Sequence, residues 1–182
     1  MRTAALRRLL DLLYAAAAGL AALALLGIFL LMMAQVATRE LGLVLPGVDD
    51  LVAYLCVAMT FFALAATFKR GELIRVGLLL DGMPPGRRRI AELVALALAA
   101  LVVGTIVWWT AQDMLFSWEI GEVAQGSVAF LLWVPKLAMP LGAGLLLVAI
   151  LDEFAGVLAG RKPAYVEAAE DRAARGDFSG EV

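Results

Sequence analysis

Charged residues divide the chain into four long apolar stretches. Leu12 to Thr38 runs 27 residues without a charge, Leu51 to Phe68 runs 18, and Leu93 to Gln112 runs 20. Val123 to Leu151 is interrupted only by Lys136. A membrane-crossing helix needs about 20 mainly apolar residues, so each stretch predicts a span. The first holds eight leucines with Ile28, Phe29 and Val36. At roughly 0.5 kcal/mol each, they favour insertion by about 5 kcal/mol. The stretch from Phe68 to Arg89 behaves in the opposite way. Its six Lys or Arg, at about 3 kcal/mol each, oppose mid-membrane burial by roughly 18 kcal/mol, so it predicts a connection.

The fourth span is expected to start near Pro135. Leu137 to Leu151 alone would reach only about 22 Å, too short for the hydrocarbon core. Proline suits a helix's first turn, where its missing N–H would be unpaired anyway. Lys136 is then expected to snorkel to the interface. Pro140 falls inside the span and is expected to kink it. The predicted spans are about 12–38, 51–68, 91–112 and 135–154, within a single four-helix membrane domain over residues 1–160. The charged segment 161–182 is expected to be a mobile tail. A secretory signal has an apolar region of about 7–15 residues. The 27-residue first stretch therefore reads as an uncleaved span.

Charge sets the expected orientation. Thirteen of the fifteen basic residues lie in the N-terminal segment, the second connection and the tail, and only Arg39 and Lys136 on the other side. Cytoplasmic loops carry the Lys and Arg excess, so both termini are expected to be cytoplasmic. Lys69, Arg70, Arg75, Arg87, Arg88 and Arg89 form the topology-setting cytoplasmic edge. Between them, Leu73 to Met83 is apolar apart from Arg75 and Asp81. It is too short to cross and is expected to lie along the membrane interface. Trp108, Trp109, Trp118 and Trp133 gather around the third connection, as an aromatic belt on the opposite side would.

Composition narrows the function. The chain is 63% hydrophobic with mean hydropathy +0.90, against about half apolar for a soluble domain. Its net charge of −2 offers no broad basic field, which excludes nucleic acid as the economical partner. Histidine is absent and Cys56 is the only cysteine. A Ser-His or Cys-His pair, bis-His haem, structural zinc and Cys-ligated clusters all need ligands this chain lacks. No catalytic residue, cofactor site or metal site is expected. None of the uncharged runs contains Asp or Glu, the usual marks of an ion or proton pathway. Gln35, Thr60, Thr105 and Thr110 are expected to make helix–helix hydrogen bonds. Small residues permit close helix approach. Gly19, Ala22, Ala58, Ala138 and Gly142 are candidates for packing within the unit or docking a second membrane protein.

Three segments together resemble a known family. They are "KRGELIRVGLLLDGMPPGRRR" (69–89), "WVPKLAMPLGAGLLLVAILDEF" (133–154) and "GVDDLVAYL" (47–55). Their order along a four-span chain is similar to the small permease subunit, DctQ type, of tripartite ATP-independent periplasmic transporters. Leu73 and Gly77 stand where the family has His and Asp, and Val48 where it often has Trp. The resemblance implies an all-α integral protein of the bacterial inner membrane. It implies a large permease subunit as partner, and a periplasmic binding protein that transiently delivers an organic acid. It also implies uptake driven by a sodium or proton gradient, with the small subunit as scaffold among membrane lipids. Asp113, Trp118, Glu119 and Glu122, on the predicted outer side, are candidate contacts for the binding protein. At this stage three other readings stay open: a stand-alone dimeric transporter, a four-helix membrane enzyme or electron carrier, and an unrelated membrane assembly protein.

Overall fold

The computed structural model describes residues 2–70 and 84–160, with the backbone alone for 2–7, 70 and 85. The expected interfacial segment 73–83, with Arg75, and the tail 161–182 lie outside the described residues. Among the described residues five helices follow in order: α1 (Arg2–Glu40), α2 (Val48–Arg70), α3 (Pro85–Glu119), α4 (Trp133–Lys136) and α5 (Ala138–Leu158). The described residues contain no strand, only one isolated antiparallel bridge between Val123 and Leu131. Four helical segments, with α4 and α5 as one, are long and apolar enough to cross a membrane.

The helices outrun the apolar stretches that predict them. At 1.5 Å per residue, α1 and α3 reach about 58 and 52 Å, against about 30 Å of hydrocarbon. Their charged ends, with Asp11 in α1 and Asp113 in α3, continue the helix because backbone hydrogen bonding does not stop where apolarity does. What stops α3 is a backbone event. Gly121 adopts φ 61°, its N–H donates to the Trp118 carbonyl, and the Glu122 N–H donates to Ser117. These two bonds make a Schellman turn. The fourth span is interrupted at Leu137, which ends α4 and begins α5. Pro140 lies one turn later, has no N–H for the Lys136 carbonyl and crowds it. The Leu137 backbone itself stays helical, at φ −56° and ψ −32°.

The helices form an open row: α1 packs along α2, α2 along α5, and α5 along α3. On α1 the buried positions Tyr14, Ala17, Ala21 and Ala24 repeat at three and four residues, a single stripe turned to α2. A shared core of Tyr14, Ala65, Phe68, Leu96, Ala149, Ile150 and Val157 joins all four spans near one end. α5 approaches α2 closely at Gly142. A Cβ on Gly142 would lie 2.5 Å from the Phe61 carbonyl carbon and oxygen, so only glycine fits at that crossing. The remaining faces of α1 and α3 are apolar and exposed, from Leu12 to Val36 and from Ile90 to Phe116.

Candidate functional site: two ionic clusters and the exposed faces

The ionisable groups near the ends of the spans collect in two clusters. In the first, the Lys69 ammonium at the end of α2 lies 2.7 Å from Asp152 Oδ2 and 2.9 Å from Glu153 Oε1 on α5. The same nitrogen stands 5.7 Å from the centre of the Tyr14 ring on α1, within cation–π range. Glu153 is buried, at 5% exposure. The Tyr14 hydroxyl is buried and without a partner among the described residues. Three helices thus meet on one cation. The sequence marks Asp152 and Glu153 only as the end of a span. Their pairing with a lysine 83 and 84 positions away leaves no local signal.

The three consecutive arginines beside this cluster have different surroundings. Arg89 donates to the Leu158 carbonyl at 3.0 Å, capping the end of α5. Arg88 pairs with buried Glu92 at 3.2 Å. Arg87 is exposed and engages none of the described residues. One helical step is 100°, so adjacent residues cannot share a face.

The second cluster lies at the opposite end. Lys136 donates to Glu122 Oε2 at 2.9 Å and pairs with Asp113 Oδ2 at 3.0 Å. The fully buried Ser117 hydroxyl donates to the same Glu122 oxygen. The Schellman turn produces this arrangement, because it brings Glu122 back beside Ser117. From Glu122 the chain makes a short hairpin, closed by the Leu132 N–H to the Glu122 carbonyl and the Ala124 N–H to Phe130, both 2.9 Å. The hairpin leans on the start of α2. Phe130 meets Tyr54 edge-on at 5.4 Å, Val128 lies against Gly47, and Gly126 against Asp50. Lys136 is therefore an anchor for this hairpin.

The Ser117 hydroxyl and then the Lys136 ammonium hold the Glu122 carboxyl below the ordinary carboxylate range. A lowered folded pKa stabilises above the unfolded value, about 4.3 for Glu, and that stabilisation is lost as pH falls through the folded value. Acidification below about pH 4 is expected to loosen the hairpin, read as faster amide exchange over residues 122–132. Glu122→Gln should remove this pH dependence. A wild-type exchange rate that stays flat through that range, once corrected for intrinsic chemistry, would dismiss Glu122 as the latch.

The other expected site residues fall into different classes. Gly19 and Ala22 are exposed on α1, and Ala58 is half-buried on α2. Ala138 and Gly142 are buried in the row, Gly142 against α2. Asp113 and Glu122 are engaged with Lys136, while Trp118 and Glu119 are exposed. The hydroxyls of Thr60, Thr105 and Thr110 do not bridge helices. Each donates to its own helix's carbonyl four residues back, at 2.7–2.8 Å. In apolar surroundings that acceptor is the nearest one. Gln35 does cross, donating to Asp49 of α2 at 3.1 Å. An open groove of about 420 Å³ on α3 is lined by Val102, Thr105, Ile106, Trp109 and Thr110, with no charged group. Among the described residues no set of His, Cys, Asp and Glu is placed to hold a metal ion.

The family model for the DctQ component of tripartite ATP-independent periplasmic transporters covers residues 28–160, more than half of the chain. No curated protein matches the chain.

Proposed function

The chain belongs to the DctQ family of tripartite ATP-independent periplasmic transporters, and from that premise we propose that it scaffolds the large permease subunit in the bacterial inner membrane. The transported solute would be an organic acid, delivered by a periplasmic binding protein and driven by an ion gradient. The mechanism is structural: the chain holds the fixed part of the large subunit at the right depth while another part moves. One observation carries this reading. The Lys69 and Lys136 clusters engage their charges within the chain's own fold, and long apolar faces of α1 and α3 stay uncovered.

The decisive experiment is expression with a large permease subunit of the same transporter, with and without this chain. Co-purification and loss of uptake on deleting this chain alone are expected. Full uptake without it would reject the scaffold role, and solute flux through liposomes holding this chain alone would favour a stand-alone transporter. The basic-residue distribution supports cytoplasmic termini; a periplasm-active reporter fused to the C-terminus should stay silent. For the binding protein, Trp118 and Glu119 are the clean test positions, since Asp113 and Glu122 also hold Lys136. Glu119→Lys with Trp118→Ala is expected to weaken docking of the binding protein. Unchanged docking and uptake would remove that contact.

A further inference from the structure

We propose that the outward face of α3 is a bilayer-facing surface that selects an anionic phospholipid through Arg87. Helical phase supplies the geometry. Arg87, Ile90, Val94, Leu98 and Leu101 follow one another at steps of three and four residues, which places them in one row. The four apolar members are between 61 and 68% exposed. This row points away from Leu96 and Val103, which pack toward α5 and the shared core. At its head stands Arg87, the member of the arginine triplet with no partner among the described residues.

Charge complementarity chooses the occupant. A face that is apolar over several turns and cationic at one end matches a molecule with acyl chains and an anionic headgroup. A permease helix laid on the same face would have to bring a carboxylate to the position of Arg87. A basic residue near an anionic membrane surface gains about 1 kcal/mol, which corresponds to about a fivefold preference. Arg88 and Arg89 are engaged within the chain, so the preference should rest on Arg87. This inference requires only that the chain spans a bilayer; it assigns the row headed by Arg87 to lipid and leaves the exposed apolar face of α1 to the large permease.

The test uses the full chain with Cys56→Ser and Val94→Cys, carrying a fluorophore at position 94, in nanodiscs of mixed lipid. Quenching by brominated phosphatidylglycerol is compared with quenching by brominated phosphatidylcholine. The glycerol lipid is expected to quench at about fivefold lower mole fraction. Arg87→Gln should abolish the difference, and Arg87→Lys should keep most of it. Arg88→Gln, as a control for nearby charge, should leave it in place. Equal quenching by the two lipids, or a preference that survives Arg87→Gln, overturns the headgroup site. Loss of quenching by either lipid when the large permease is bound shows that a protein covers this face, and overturns the proposal as well.

Discussion

Gly142→Leu is expected to separate α5 from α2 and to cost about 3 kcal/mol or more, the upper part of the range for overpacking. Even the first added carbon meets the Phe61 carbonyl carbon and oxygen at 2.5 Å and the Phe61 Cβ at 2.7 Å. Backbone atoms cannot rotate aside, so the helices must move apart. Thermal loss of helical circular dichroism in detergent should occur at a clearly lower temperature. Phe61→Ala should not rescue the variant, because the obstructing atoms remain in alanine. Gly144→Ala is the control. Nothing lies within 4 Å of its added carbon, and helix propensity favours alanine over glycine by up to about 1 kcal/mol. Equal stability of Gly142→Leu and wild type would mean that this crossing does not hold the row together.

The second large effect is expected at Lys69. Lys69→Met takes the cation away from Asp152 and from buried Glu153. Removing one partner of a buried ion pair costs about 3–5 kcal/mol, because desolvated charge is left behind. Lys69 keeps 20% of its side-chain surface and Asp152 36%, so the lower end, about 3 kcal/mol, is the expected value. Adding Glu153→Gln removes the charge that suffers most and should recover part of the loss. A double-mutant cycle on unfolding free energy measures the coupling. Additive effects within about 0.5 kcal/mol would show that the pair is not coupled in the folded chain. Loosening here should reach α1 as well, since Tyr14 lies under the same ammonium.

Small residues show how far sequence reading reaches. Gly19, Ala22, Ala138 and Gly142 look alike as positions that permit close approach. In the fold Gly142 is filled against Phe61, while Gly19 has nothing within 4 Å of an added carbon. A small side chain records that an approach is allowed; which helix makes it depends on contacts between distant parts of the chain. The same distinction applies to Asp113 and Glu122. As sequence they are polar groups on the predicted outer side. The Schellman turn at Gly121 and the return of the chain at Lys136 make them the two partners of one lysine.

The arginine triplet gives the clearest division. From the sequence alone follow the four spans, the connections between them and the exclusion of chemistry that needs histidine or paired cysteine. These depend on composition over stretches of about 20 residues, where each residue's transfer energy adds to the next. The resemblance to the DctQ family is also legible there, because its motifs are local. Only the tertiary structure decided that Arg89 caps α5, that Arg88 holds Glu92 and that Arg87 faces outward. It likewise decided that α1 packs along α2 and α3 along α5. Transfer energy is indifferent to direction around a helix, whereas packing turns each face toward one neighbour and gives equal residues unequal roles.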